Sequence, residues 1–187
     1  MTPTLRAAYA EPWRRYHTLA HIEDCLARLA ALPDLAARDR QILEWALWWH
    51  DAVYDPTRGD NEALSAELAA RDLPALGADE GAIVEVVRLI LLTKGHQVEP
   101  GDRLGALMVS IDLSILGADP ATYQAYTEAI RAEYAHVPED AYRLGRARVL
   151  EHFASTPVLF ADPAFALAFD VPARRNLAAE IARLRAG

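Results

Sequence analysis

Three short stretches place imidazole or carboxylate groups in or beside apolar, helix-forming sequence. They are Tyr16-His17-Thr18-Leu19-Ala20-His21, Trp48-Trp49-His50-Asp51 and Ser110-Ile111-Asp112-Leu113-Ser114. His17 and His21 are four residues apart, so on a helix they share one face, one turn from each other. The same spacing also occurs on ordinary surface and core helices. His50-Asp51 ends the apolar run from Ile42 to Trp49. A carboxylate buried beside tryptophans is costly unless a cation or several donors meet it. The other account is a solvated helix end, with His50 as a helix-terminal cation. Asp112 lies inside an apolar segment, where it needs a partner or shares a polar face with Ser110 and Ser114.

Read together, the three stretches say more than any one of them. A helical protein can converge His21, His50, Asp51 and Asp112 on one interior point. Imidazole nitrogen and carboxylate oxygen suit a divalent ion such as Mn, Fe, Co, Ni, Zn or Mg. Four protein ligands on an octahedral ion leave positions for water and a substrate oxygen, which is what hydrolysis requires.

Helices must position these groups. Apolar residues recur at intervals of three and four almost throughout, period-two alternation is hard to find, and Ala and Leu dominate. The pattern predicts helices over residues 19–32, 38–53, 61–71, 80–93, 104–116, 120–134, 139–155 and 172–185. A short apolar piece at 163–169 lies before the last of them. Pro33-Asp34, Asp55-Pro56, Gly95 and Gly117 read as stops, and Asp119-Pro120 as an N-cap followed by proline at the first helical position. No repeat, low-complexity tract or long linker divides the chain. The expectation is an all-α, single-domain helical bundle over residues 1–187.

The bulk composition sets limits on function. At 187 residues the chain can bury one real core, and 52% hydrophobic with 25% charged residues is a globular balance. The formal net charge of -8 argues against a general nucleic-acid binder. It leaves room for a small phosphorylated substrate, because a bound divalent cation reverses the field inside a pocket. Cys25 is the only cysteine, so no intrachain disulfide forms, which fits a reducing compartment. The first fifteen residues have no apolar core of signal-peptide length, and no apolar stretch approaches the ~20 residues of a membrane span. A soluble, cytoplasmic protein with no membrane partner is expected. The sequence leaves oligomeric state open, a homo-oligomer included.

These residues resemble the HD superfamily of metal-dependent phosphohydrolases, whose defining pattern is H…HD…D. By this resemblance the first His falls on His21, the central pair on His50 and Asp51, and the last Asp on Asp112. Tyr16-His17-x-x-x-His21 is also similar to the matching motif of cyclic-nucleotide phosphodiesterases, a distant branch. There the second His binds metal and the first acts as general acid at the leaving oxygen. The chain further resembles a family of small bacterial proteins described only as predicted HD phosphohydrolases. The shared stretches are Arg15-Tyr16-His17 through His21-Ile22, Trp49-His50-Asp51-Ala52-Val53-Tyr54-Asp55, Asn61-Glu62, Ser65-Ala66, Asp112-Leu113-Ser114-Ile115-Leu116-Gly117 and Ile130-Arg131-Ala132-Glu133-Tyr134.

The resemblance implies a helical bundle of the HD-domain type that hydrolyses a phosphoester or pyrophosphate bond, in a nucleotide or related small metabolite, by a metal-activated water. Asp51 would both ligate the metal and accept the water's proton, and His17 would protonate the departing oxygen. Arg15, Arg58, Lys94 and His96 are candidates for contacting substrate phosphate. Glu62 is a candidate for orienting a water or a His, against the competing role of helix-start stabilisation. Some HD proteins carry an acid two residues before the last Asp, where this chain has Ser110. Others add histidines for a second metal, and one of those positions is held here by Asn61-Glu62. One firmly bound metal is therefore expected. The alternative is a non-catalytic HD-fold module that binds metal or nucleotide for sensing or assembly.

Overall fold

Helix-forming residues at helical spacing, punctuated by Asp caps and Pro or Gly stops, produce a chain that is helical wherever it is regular. The structure, a computed structural model, describes residues 3–186, and no strand occurs among them. The helices are α1 (Pro3–Ala8), α2 (Leu19–Ala31), α3 (Ala37–Trp49), α4 (Asn61–Asp72), α5 (Glu80–Leu92), α6 (Arg103–Asp112), α7 (Pro120–Glu133), α8 (Glu139–Ser155) and α9 (Pro163–Ala186). Tight 3-10 turns follow α4 at Leu73–Leu76 and α6 at Leu113–Gly117. No single helix among the described residues is long and apolar enough to cross a membrane.

Several boundaries follow from capping chemistry. The Asp79 side chain accepts from the backbone N–H of Ala82 and opens α5; Asp119 accepts from Ala121 and Thr122 and opens α7, with Pro120 behind it. Asp162 does the same for Ala164 and Phe165 at the start of α9.

Compactness divides the chain into two units between Ile111 and Asp112. In the first unit, α3 packs against α2, α4 and α5, and α4 lies along α5. Leu43, Ala46, Leu47 and Trp49 of α3 are completely buried, with Ile22, Ala69, Val86, Leu89 and Ile90 around them. In the second unit α9 packs on α8 and on the Leu113–Gly117 turn, which also meets α7. Gly117 is required there: a Cβ would fall 2.7 Å from the Phe169 side chain and from its carbonyl oxygen.

The structure corrects four of the sequence-based boundaries. The α1 helix was not expected. The second expected helix stops at Trp49 instead of continuing to residue 53, because the chain turns through His50-Asp51. The fifth stops being α-helical at Asp112 and tightens into a 3-10 turn up to Gly117. The piece at 163–169 and the helix expected from 172 are one helix, α9, with Pro172 inside it. An interior proline costs about 3 kcal/mol, and packing on both sides offsets it. Phe165 lies before the proline and Ala173, Asn176, Leu177 and Glu180 after it, all buried. Arg174 braces this turn, bonding Asp170 and the carbonyls of Ala154, Thr156 and Pro157 at the end of α8.

Candidate metal centre

The apolar face of α2, formed by Ile22, Cys25 and Leu29, turns inward and carries His21 with it. The C-terminal end of α3, deeply buried through Trp48 and Trp49, delivers His50, and the turn that follows delivers Asp51. His50 and His21 are 2% and 7% exposed. The Asp51 side chain is a fifth exposed, so the corner has one open side. His50 Nε2 lies 3.1 Å from Asp51 Oδ2, and His21 Nε2 lies 3.7 Å from the same oxygen. The two imidazole rings are edge-to-face, with centroids 5.4 Å apart.

The tautomer of His50 follows from its other nitrogen. Nδ1 lies 2.9 Å from the carbonyl oxygen of Leu47. A carbonyl only accepts, so Nδ1 carries a proton, and the ring turns its Nε2 toward the Asp51 carboxylate. Two electron-rich atoms at this distance call for a proton or a cation between them. Burial pushes the Asp51 carboxyl up, but the positive potential of His50, His17 and His21 and the hydrogen bond with His50 outweigh it. The carboxyl is held well below the usual range and stays ionised.

The donor set fits a divalent cation. One ligand atom each from His21, His50 and Asp51 lie within 4.8 Å of one another, close enough for a single ion to bridge them. A backbone carbonyl fixing the second nitrogen of a ligating His is the usual supporting arrangement for such an ion.

The structure relocates His17. The α2 helix begins only at Leu19, so His17 lies in the turn before it and does not share a helical face with His21. The ring is held by stacking on Tyr54, centroids 4.0 Å apart at 25°. It still faces the site: its ring is 6.3 Å from that of His21, and it contributes to the potential at Asp51.

Sequence reading missed the residue that organises this corner. Arg14 is 3% exposed, and its guanidinium donates to the carbonyls of His17, Asp51 and Ala52 while pairing with Glu11. It lies over the rings of Tyr9 and Tyr54. The Tyr9 hydroxyl donates to the carbonyl of Trp48, and the Trp13 indole donates to that of Tyr54. In sequence, Arg14-Arg15 looks like a pair of surface charges; the one hint is Glu11 three residues earlier.

The remaining candidates lie as follows. Arg15 is exposed, with Nη1 on the carbonyls of Pro12 and Arg14. Arg58 is exposed and grips Asp60 at 2.7 and 2.8 Å. Lys94 donates to the carbonyl of Gly59 at 2.8 Å, so both cations contact the loop between Asp55 and Asn61. Asn61 pins that loop, bonding both the N–H and the carbonyl of Asp55. Glu62 is half-buried in the first turn of α4. His96 is half-buried with φ of 54°, a left-handed conformation that non-glycine residues seldom adopt. Trp48 and Trp49 are core residues and Trp45 is half-buried.

Asp112 is the last residue of α6 and the first of the second unit, half-buried with helical backbone angles. Ser110 and Ser114 are both completely enclosed, so the three do not form a solvated polar stripe. No protein-family model, curated protein or solved structure matches this chain.

Proposed function

We propose that this protein is a metal-dependent phosphohydrolase of the HD type, acting on a phosphoester or pyrophosphate bond in a small metabolite of the nucleotide class. The observation that carries the reading is the meeting of His50 Nε2 and His21 Nε2 on Asp51 Oδ2, with the Nδ1 proton of His50 committed to Leu47. His21, His50 and Asp51 would hold the cation, and Asp112, on the end of α6, is the fourth ligand of this reading. When bound, a divalent cation lowers the pKa of a water and neutralises charge on a phosphate oxygen.

The protein's own groups then have distinct tasks. Asp51, ionised and partly open to solvent, accepts a proton from the attacking water through a carboxylate oxygen. His17, half-buried and oriented by Tyr54, donates a proton to the departing oxygen. Tyr16 against His21 and Tyr54 against His17 shield part of the charged corner from water, which strengthens the electrostatic interactions there. A soluble, cytoplasmic setting belongs to the same reading.

Elemental analysis of purified protein, followed by a panel of nucleotides and phosphoesters with and without a chelator, tests the proposal. Bound metal and chelator-sensitive turnover are expected. Protein that stays metal-free after supplementation with Mn, Fe, Co and Zn would sink it. Metal without turnover on any substrate would favour the non-catalytic module instead.

A further inference from the structure

An open cleft of about 460 Å3 lies in the second unit, lined by residues of α7, α8 and α9. Each of the three carboxylates in its lining already has a donor. Glu180, 4% exposed, accepts from the Tyr123 hydroxyl and the Arg146 guanidinium. Glu139 accepts from Arg131, and Glu128 from Gln124. Arg131 is committed as well: it also donates to the carbonyls of Tyr134 and Val137, and its guanidinium covers the Tyr142 ring at 4.5 Å. What remains in the lining is donor capacity. Arg183 has no hydrogen bond or ion pair among the described residues. Arg143 sets Nε and Nη2 on the carbonyl of Leu184 at 3.0 and 2.6 Å, which fixes its guanidinium and leaves Nη1 uncommitted. Tyr142 is only 8% exposed, yet its hydroxyl has no hydrogen-bond partner among the described residues. A polar group so deeply enclosed without a partner is uncommon and calls for an explanation.

We infer that this cleft binds a small-molecule anion, whose oxyanion head is received by Arg183, Arg143 Nη1 and the Tyr142 hydroxyl. Charge favours this occupant. The guanidinium groups of Arg131, Arg143, Arg183 and the Glu180-bonded Arg146 outnumber the carboxylates of Glu128, Glu139 and Glu180 by one. The head is a carboxylate or a phosphate, since the fork of N–H groups on a guanidinium matches the oxygens of either. The volume belongs to the range of small-molecule sites, roughly 300–1,000 Å3, and so has room for a body of metabolite size behind the head. Leu184 gives that body an apolar surface. The site uses no residue of the His21, His50 and Asp51 corner and needs no metal.

The experiment titrates the protein with benzoate and with phenylphosphonate, which share a ring and differ in the head. Two-dimensional 1H–15N NMR reads the backbone amides and the arginine Nε–H groups. Saturable shifts are expected at residues 127–143 and 180–184, unchanged when a chelator is present, and the tighter probe tells carboxylate from phosphate. Arg183→Gln is expected to weaken binding about 10- to 100-fold and Tyr142→Phe about tenfold, the scale of a hydrogen bond to a charged group. Because the Tyr142 hydroxyl has no partner, Tyr142→Phe should keep the urea midpoint of the intact protein when no probe is present. Shifts that do not saturate, shifts confined to the first unit, or equal affinity in all three proteins overturn the inference. A large loss of stability in Tyr142→Phe would show that the hydroxyl serves the fold, and would strike it from the site.

Discussion

Arg14 donates to the backbone carbonyl of Asp51 at 2.8 Å, across 37 residues of chain. Through the same guanidinium it holds the carbonyls of His17 and Ala52, so one buried cation ties the turn before α2 to the turn after α3. These are the two segments that present His17 and Asp51. The corner thus depends on a buried residue whose guanidinium is spent on backbone carbonyls and Glu11.

Removing that cation should therefore be expensive. Arg14→Met leaves three carbonyls and Glu11 without their donor, and a loss of about 3–5 kcal/mol is expected. Urea unfolding followed by circular dichroism measures it. Arg14→Lys should recover only part, because a single ammonium lacks the planar fork that reaches three acceptors. A loss under about 1 kcal/mol, the scale of one ordinary hydrogen bond, would show that the two turns hold without Arg14.

His17→Ala should separate chemistry from metal binding. In the proposed reading His17, stacked on Tyr54 and outside α2, donates a proton and does not ligate. Turnover should fall about 10²- to 10⁴-fold, the usual worth of a general acid, with metal content unchanged. A metal-free variant would make His17 a ligand and reverse the assignment.

Asp112→Asn tests whether Asp112 is the fourth ligand that the proposal assigns. The amide keeps the shape of the side chain but loses its charge, so α6 and the following 3-10 turn should remain intact. Metal content after dialysis is expected to drop while the far-ultraviolet spectrum stays the same. Retention of a full metal complement would reduce the centre to His21, His50 and Asp51.

Alkaline pH should weaken the second unit. Burial, opposed by Arg146 and reinforced by Glu180, pushes the Tyr142 phenol up to about 12. Burial and the Glu180 carboxylate, which accepts the Tyr123 hydroxyl at 2.5 Å, push Tyr123 higher still. In the unfolded chain both titrate near 10, on the order of any free tyrosine. A folded pKa raised above the unfolded one contributes stability that is complete below about pH 10. It fades as pH climbs from there toward about 12. Parallel titrations of tyrosinate absorbance and helicity should show these two ionising only as helix is lost. Ionisation of every tyrosine near pH 10 with intact helicity would contradict the burial argument.

Much of the fold was legible because its causes are local. The caps at Asp79 and Asp119, the stop at Gly117 and the three- and four-residue apolar spacing act within a turn or two of chain. The same holds for the chemical identity of the corner: imidazole and carboxylate side chains in apolar surroundings announce a need for charge compensation wherever they come to rest. The resemblance to the HD pattern added the expected roles of His21, His50, Asp51 and Asp112.

Tertiary structure alone decided the rest, since the energies involved come from partners far away along the chain. A continuous α9 through Pro172 is favoured by burial against α8 and the Leu113–Gly117 turn, which outweighs the local cost of proline. Arg14 is a core residue and Arg15 a surface one because carbonyls from residues 51 and 52 surround the first and not the second. His17 leaves the helical face that its spacing suggested because Tyr54 offers it a ring to stack on. Spacing dictates which side chains share a face only once a helix exists, and burial and long-range hydrogen bonds settle where each helix starts and ends.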